Sequence, residues 1–434
     1  MKLNQTFIEK ILFGIFLITL PLNRRHIFSW NLSESEFTRL SLYISDLALI
    51  AWLGFGYIFR DYPHKGRILA TVGIVIFFSV EFISPRGTYN WFSLLKLEEL
   101  ALLLFYLAFV ARGIKQTTDY FVVFKPLMAI LGILQSSLAI LQFVMQRSVG
   151  LKLVGEDFLN NSIIGVAKID IGPLKLIRGY GTFPHPNVLS AFLLVVCATC
   201  AYAFITTKSY QSQVFYGFCL FGSTLGNFAT FSRSGLVVSY VTLISIIYLI
   251  YREVPGKIEQ IKKIGMVLLF ATIIGVTSFL PFLKARAINT ASTEFSRTYY
   301  NQIAIRIIKE HPFGVGFGNM INEMRKTIKP TSEIQVQPPH NYFLTVACEA
   351  GIEGVAFIII IFGYLIYLLS RGFKKIVPDE TKIFSTIFLI TFLGIIMLMF
   401  FDHYFYTIQQ TQLLLWLIVG LILNQRIVVK NFLW

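Results

Sequence analysis

Charged residues are scarce in this chain. Asp, Glu, Lys and Arg make up only 14% of its 434 residues, whereas a soluble globular protein has roughly 25%. The composition therefore excludes an ordinary soluble domain. Apolar residues take their place: 55% of the chain is hydrophobic, 42 residues are phenylalanine, and they gather in long runs. Runs of this kind are typical of membrane-spanning helices.

Cysteine is also rare, and its positions exclude a redox or zinc function of the usual kind. The four cysteines, Cys197, Cys200, Cys219 and Cys348, all lie within apolar runs. The first two have the spacing of a redox pair. Inside a lipid-embedded helix, however, small packing residues are the better interpretation. We expect no disulfide and no zinc bound by cysteine.

Twelve segments are long and apolar enough to span a membrane, or nearly so. They cover residues 7–22, 43–59, 68–84, 99–111, 121–143, 188–206, 214–231, 235–251, 264–283, 341–369, 384–401 and 411–424. No small-residue cleavage site follows the first, so we interpret it as a retained helix and not a signal peptide. The predicted fold is an all-α integral membrane protein, with one polytopic domain over residues 1–434 and about twelve transmembrane helices.

The distribution of Lys and Arg indicates the orientation. With the N-terminus in the cytoplasm, the inner segments hold 18 positive residues and the short outer loops hold six, as the positive-inside rule expects. This bias accounts for much of the net charge of +15, so we expect no nucleic-acid partner. Two long external loops, 144–187 and 284–340, carry thirteen Lys and Arg against seven Asp and Glu. That excess favours an outward-facing anionic ligand.

The second external loop contains an amphipathic pattern. Over residues 297–310, apolar side chains fall on one helical face and polar side chains largely on the other. We expect a helix that lies on the bilayer surface or on the top of the bundle. A glycine-rich stretch, 314–319, follows. Its spacing does not match a dinucleotide-binding motif, and it favours a turn in which backbone approaches backbone.

Three polar groups stand at the predicted outer ends of spans. Arg178 begins a Gly- and Pro-rich turn that ends at Asn187, Arg233 follows Ser232 in a short turn between two spans, and His340 precedes a long apolar run. Each has a plainer interpretation: an incidental loop arginine, an arginine that reaches the lipid headgroups, or a capping histidine. Two fixed cations and one titratable base at one water–lipid boundary nevertheless suit chemistry on a lipid-linked phosphate.

Other polar residues give weaker signals. Asp402 and His403 lie at the outer end of the eleventh predicted span, near the proposed site. Together with His340 they could bind a metal, but no ligand-spacing motif supports that interpretation. We expect no metal.

The pattern that begins at His340 resembles the signature of the bacterial O-antigen ligase and O-antigen polymerase superfamily. That signature is His, then Asn, Ser or Gln, nine residues, Gly, two residues, and Gly, Thr or Tyr. His340, Asn341, Gly351 and Gly354 fit it without a gap. The two arginine turns described above are similar to the family's other two landmarks and occur in the same order.

The resemblance implies a GT-C-like fold with an external helical cap, and a metal-independent, inverting glycosyltransferase without a cofactor. The donor would be a glycan on undecaprenyl diphosphate, and the acceptor a glycan or lipid, at the outer, periplasmic face of the bacterial cytoplasmic membrane. Arg178 and Arg233 would bind the diphosphate, and His340 would deprotonate the acceptor hydroxyl. The supporting residues would be Asn341, Ser232, Asn187, Gly351 and Gly354.

Two questions stay open at the level of sequence. The motifs do not distinguish a ligase from a polymerase, because the two share them, so they do not identify the acceptor. A transporter or flippase of lipid-linked oligosaccharide is the alternative class, and it should show inverted repeats with matching broken helices. No mirrored cluster precedes residue 170, which favours the enzyme. A non-catalytic membrane scaffold is a third, weaker alternative.

Overall fold

The computed structural model describes residues 5–27, 41–59, 120–288, 291–328, 336–371 and 378–424. This part of the chain is mostly helical. The helices are α1 (Gln5–Thr19), α2 (Ile44–Phe59), α3 (Phe121–Met145), α4 (Pro186–Thr206), α5 (Tyr210–Ala229), α6 (Arg233–Glu253), α7 (Ile258–Ile288), α8 (Ala291–Glu310), α9 (Met320–Thr327), α10 (Tyr342–Ser370), α11 (Asp379–Phe401), α12 (Tyr404–Thr407) and α13 (Gln409–Asn424).

Six of these helices are long and apolar enough to cross a membrane: α3, α4, α6, α7, α10 and α11. Helices α2 and α13 are apolar but shorter. Ten of the twelve predicted spans coincide with helices, whereas the segments 68–84 and 99–111 lie outside the described residues. The described helices are consistent with an all-α membrane protein, and the number of twelve spans and the GT-C-like cap stay predictions.

Helix α4 forms the centre of the bundle. In its most apolar stretch, 94% of the residues are buried, and α3, α5, α6 and α11 pack around it. Small residues permit this close packing. A Cβ added at Gly132 of α3 would meet the Val196 side chain of α4, and one added at Gly226 of α5 would meet Ser136 of α3.

Two short antiparallel hairpins interrupt the helical pattern. Strand β1 (Arg25–Ile27) pairs with β2 (Ser41–Tyr43), and β3 (Lys168–Ile171) pairs with β4 (Leu174–Ile177). Neither hairpin is predicted from the sequence. The second lies in the predicted external loop 144–187, where a Gly-Pro turn at 172–173 joins strands of four residues. Strands this short leave a periodic signal too weak to detect.

The region between α7 and α10 packs as a small layer against α10. Tyr300, Ile303 and Ile307 of α8 are buried with Met324 of α9 and Cys348 of α10. This apolar face is the one predicted for the amphipathic helix 297–310, which the structure extends to Ala291–Glu310. The layer is held by protein contacts, and it brings α8 next to the start of α10.

Helix α10 is broken at Gly351, where φ is +73° and ψ is −174°. The glycine-rich stretch docks into the break: Val315 N donates to Cys348 O at 2.8 Å, and Ile352 N donates to Pro312 O at 3.0 Å. A Cβ at Gly351 would lie 2.5 Å from the Phe313 carbonyl carbon. Only glycine fits this backbone conformation and this close approach.

Gly351→Ala is therefore expected to destabilise the protein by about 3 kcal/mol, through backbone strain and the clash with Phe313. The measurement is the melting temperature of the purified protein in detergent. Gly363→Ala is the matched control, because Gly363 lies in the same helix and an added Cβ there has nothing within 4 Å. Equal melting temperatures for the two variants would show that the break is not a constraint.

Candidate functional site

His340 lies immediately before the first turn of α10. Asn341 is the N-cap residue, and its side-chain Oδ1 accepts from Leu344 N at 3.0 Å. Its Nδ2 donates to Phe400 O, the end of α11, at 3.2 Å. Asn341 thus caps one helix and ties it to the end of another. This connection fixes where His340 stands relative to the residues that follow α11.

Asp402, the first residue after α11, faces His340. His340 Nδ1 lies 3.4 Å from Asp402 Oδ1. The same oxygen accepts from the backbone N–H of His403 at 2.9 Å. The ring of His403 lies 5.6 Å from that of His340, and its Nδ1 is 2.6 Å from Thr407 Oγ1. The side chain of His340 is 21% exposed and that of Asp402 is 8% exposed. Of this pair, His340 is therefore the residue that is open to a substrate.

A chain of hydrogen bonds connects Asp402 to the first arginine turn. Asn187 Nδ2 donates to Asp402 Oδ2 at 3.0 Å, and Arg178 Nη2 donates to Asn187 Oδ1 at 2.8 Å. Arg178 Nε donates to Thr230 O, at the end of α5, at 2.7 Å. Arg178, Asn187, Asp402 and His340 therefore form one polar relay across the ends of α4, α5, α10 and α11.

Two glutamines of α3 shape the turn that precedes α4. Gln142 Oε1 accepts from the backbone N–H groups of Tyr180 and Gly181, both at 2.9 Å. Gln135 Oε1 accepts from Thr182 N at 2.8 Å. The glutamines lie two helical turns apart on one face of α3. They satisfy buried backbone donors and hold the turn rigid.

The second arginine turn is fixed by a helix cap and a close contact. Ser232 is the N-cap of α6, and its hydroxyl accepts from Gly235 N at 3.3 Å. A Cβ at Gly235 would collide with the Ser190 hydroxyl of α4. Glycine thus lets α6 begin directly against α4. Arg233, the first residue of α6, is held at the same end of the bundle as the relay.

Two further arginines, Arg286 near the end of α7 and Arg297 of α8, join this site. The charge of Arg286 acts on Arg178, Arg233 and Arg297, and the charges of Arg297 and Asp402 act on Arg178. The Nε atoms of Arg286 and Arg297 are buried and, within the described part of the chain, have no hydrogen-bond partner. Four guanidinium groups, here called the arginine cluster, therefore lie close to one another, with Asp402 near Arg178 and Asp170 near Arg286. Such an excess of positive charge, on one buried and three partly buried arginines, suits a multivalent anion.

The surroundings tune the ionisable groups of the relay. Burial alone would raise the pKa of Asp402, but the hydrogen bond to His340 and the nearby histidines and Asn187 hold it below its usual range. Burial lowers the pKa of His403 to about 4, against the opposing charge of Asp402. Burial and the charge of Arg286 lower the pKa of Arg178 to about 9. At neutral pH the carboxylate is therefore ionised, His403 is neutral, and Arg178 carries its charge.

The lowered pKa of His403 predicts acid sensitivity. Between pH 6.5 and about 4 the unfolded chain binds a proton that the buried ring does not, so stability falls as pH falls through this window, by up to about 1.4 kcal/mol per pH unit. Asp402 does not contribute to this pH dependence, because its pKa lies below this window in both the folded and the unfolded chain. We expect a lower melting temperature at pH 5 than at pH 7.5, with a smaller difference in His403→Asn. An unchanged difference would contradict the prediction.

The structure brings the predicted site residues together, with different roles for the glycines. Arg178, Asn187, Ser232, Arg233, His340 and Asn341 all lie at one end of the bundle. Gly351 forms the break in α10, and a Cβ at Gly354 would meet the Ala350 side chain one turn earlier. The glycines of the signature thus shape the helix that carries His340.

Sequence reasoning missed three members of the site. The sequence offers Asp402 as a nearby residue and a possible metal ligand, and it places Arg286 and Arg297 in the positive excess of the second external loop without assigning either to the site. The available signal for the arginines was their position: Arg286 closely follows the predicted span 264–283, and Arg297 begins the amphipathic pattern. Helix periodicity alone places Arg297 on a polar face and does not reveal that its Nε atom is buried.

These features define a helical membrane protein with a histidine–aspartate pair beside a cluster of arginines at one end of its bundle. A family model described as O-antigen ligase matches residues 218–359, the part that contains Arg233, Arg286, Arg297 and His340. The match confirms the resemblance to the O-antigen ligases and supports a function of ligase or polymerase type. No curated protein matches the chain.

Proposed function

We propose that this protein is an inverting, metal-independent glycosyltransferase that moves a glycan from undecaprenyl diphosphate onto an acceptor hydroxyl, at the outer face of the bacterial cytoplasmic membrane. The observation that carries the proposal is the pairing of His340 with Asp402 beside the arginine cluster. The site thus combines a proton acceptor with groups that can stabilise a departing diphosphate. The acceptor is a glycan, as for a polymerase, or a lipid, as for a ligase.

His340 acts as the general base. Its Nδ1 faces Asp402 Oδ1 at 3.4 Å, so the proton sits on Nδ1 and the lone pair on Nε2. Nε2 takes the proton of the acceptor hydroxyl as that oxygen attacks the anomeric carbon. The bond between the anomeric carbon and the phosphate oxygen breaks, and its electron pair leaves with the diphosphate. Attack from the face opposite the leaving group inverts the configuration.

Asp402 supports this step without contacting the substrate. Its carboxylate is 8% exposed and is held in place by Asn187 Nδ2 and by the backbone N–H of His403. An ionised carboxylate at this position orients the imidazole and stabilises the positive charge that the ring gains during the reaction. Asp402 is therefore a positioning residue.

The arginine cluster stabilises the negative charge that develops on the leaving diphosphate. Arginine suits this task because its planar guanidinium donates two parallel hydrogen bonds to phosphate oxygens. Arg178 already donates to Thr230 O and Asn187 Oδ1, so it contributes charge and the placement of the relay. Arg233, Arg286 and Arg297 supply further donors that can turn toward the phosphates.

The deciding experiment reconstitutes the reaction. Purified protein is mixed with an undecaprenyl-diphosphate-linked glycan and, in separate samples, with a second lipid-linked glycan or a lipid acceptor. The expected result is release of undecaprenyl diphosphate together with a new glycosidic bond. Movement of the lipid-linked glycan across vesicle membranes without a new bond would overturn the enzyme and favour a transporter.

Asp402→Asn is expected to lower kcat by about 10²-fold while KM changes little, because the amide can hold His340 in the wrong tautomer and no longer balances its charge. Steady-state transfer kinetics measure both constants. Asp379→Asn is the control, since Asp379 is an exposed carboxylate at the start of α11, the helix that Asp402 follows. A change confined to KM would argue that Asp402 serves binding and not the base.

A further inference from the structure

The imidazoles of His340 and His403 and the carboxylate of Asp402 lie close together at one end of the relay. Donor atoms of His340, Asp402 and His403 all lie within 4.8 Å of one another. His340 Nδ1 is 3.4 Å from Asp402 Oδ1, and His403 Nε2 is 3.7 Å from the same oxygen. Ligand atoms bound to one tetrahedral zinc ion stand about 3.4 Å apart, given bonds of about 2.1 Å. Small side-chain rotations would bring the three atoms to that geometry.

The residues behind these donors have the arrangement of a metal site's outer shell. Histidines that ligate metals use their second ring nitrogen to bond a neighbouring group, which fixes the ring. His403 Nδ1 lies 2.6 Å from Thr407 Oγ1, so its Nε2 is turned toward Asp402. The second oxygen of Asp402 is held by Asn187 Nδ2 at 3.0 Å. Thr407 and Asn187 thus orient two of the three donors from outside the set.

We propose that His340, Asp402 and His403 form an inhibitory site for a divalent transition metal, with Zn²⁺ as the best-suited ion. Two imidazole nitrogens and a carboxylate oxygen are ligands that Zn²⁺ prefers, with solvent in the fourth position. The partial exposure of His340 supplies a path for entry. Binding would draw His340 Nδ1 and Asp402 away from each other's hydrogen bond and onto the ion.

The inhibitory consequence rests on the proposed function, whereas the binding site does not. Ligation takes up the lone pair of Nδ1, so the ring proton moves to Nε2, and Nε2 then has no lone pair with which to accept the proton of the acceptor hydroxyl. The ion also takes up the carboxylate that orients the ring. The arginine cluster opposes a cation here, because Arg178 and Arg297 act electrostatically on the same region. We therefore expect micromolar affinity and reversible inhibition.

The test measures metal binding by the purified full chain in detergent, after treatment with a chelator. Zn²⁺ is titrated in competition with a chromophoric chelator, and Co²⁺ is used as a spectroscopic substitute. The expected result is one bound ion per chain, with dissociation constants raised at least about tenfold in His340→Ala and in His403→Ala. His311→Ala is the matched control, because His311 is an exposed histidine outside the set.

Several outcomes would overturn the site. These are the absence of stoichiometric binding to the wild-type chain, unchanged affinity in both ligand variants, or an equal loss in His311→Ala. Melting temperatures identify any variant that fails to fold, and the other ligand variant then decides. In the transfer assay, half-inhibition should occur at the Zn²⁺ concentration that half-fills the site, and a chelator should reverse it. Binding without inhibition would refute the inhibitory role alone, and an inactive chain would refute the proposed function alone.

Discussion

His340→Ala is expected to lower the rate of glycan transfer by about 10³-fold, with little change in the binding of the lipid-linked donor. General-base catalysis typically contributes about 10²- to 10⁴-fold, and His340 is the histidine of the site whose side chain is open to a substrate, at 21% exposure. The carboxylate of its partner Asp402 is ionised and already faces the ring, so it can support His340 as a base. The variant loses the base and leaves the arginine cluster in place.

The measurement is single-turnover release of undecaprenyl diphosphate, together with donor affinity determined separately. His311→Ala controls for the loss of a histidine elsewhere, since His311 follows α8 and lies on the surface. Undiminished release in His340→Ala would refute the assignment of the base. A loss of donor affinity equal to the loss of rate would assign His340 to binding.

The helical architecture could be predicted because membrane-spanning helices leave a strong signal in the sequence. Runs of about twenty apolar residues carry that signal within one segment. The break in α10 left no sequence signal of comparable strength, because Gly351 stands within an apolar run. Its backbone conformation depends on the contact with Phe313. The short strand pairs were missed because pairing of a few residues depends on the turn between them.

The candidate site could be predicted only where its residues form local motifs. Ser232-Arg233 and His340-Asn341 are recognisable because helix caps and charged residues at span ends stand out against apolar surroundings. The partner of His340 is 62 positions away, and no local pattern links the two. The relay from Arg178 to His340 likewise joins four helix ends. Such contacts are set by packing around α4, which a single sequence does not show.

The small layer that packs against α10 has a further consequence for α8. Its apolar face is buried against α9 and α10, which turns Arg297 from a surface residue into a member of the arginine cluster. Four arginines then share one region in which Asp402 is ionised. Mutual repulsion makes such a cluster costly unless an anion balances it. This cost in free energy is expected if the site performs the proposed reaction, because the diphosphate must be stabilised most strongly as it leaves.

Arg297→Ala and Arg286→Ala are each expected to lower kcat by about 10²-fold, because each removes a charged donor from the leaving diphosphate. Their buried Nε atoms have no partner in the described part of the chain, so neither side chain is satisfied by a structural bond at that atom. The double variant should lose less than the product of the single losses, since both donors act on one group. The assay is again single-turnover release of undecaprenyl diphosphate.

Arg306→Ala is the matched control for Arg297→Ala. Both arginines lie on α8, but Arg306 is exposed and forms a surface pair with Glu310 at 2.8 Å, which contributes little to stability. It should retain wild-type transfer. If Arg297→Ala and Arg306→Ala lose activity equally, α8 acts through its fold or net charge and not through a bound diphosphate. If Arg297→Lys restores full activity, positive charge alone suffices, and the bidentate guanidinium has no special part in binding the diphosphate.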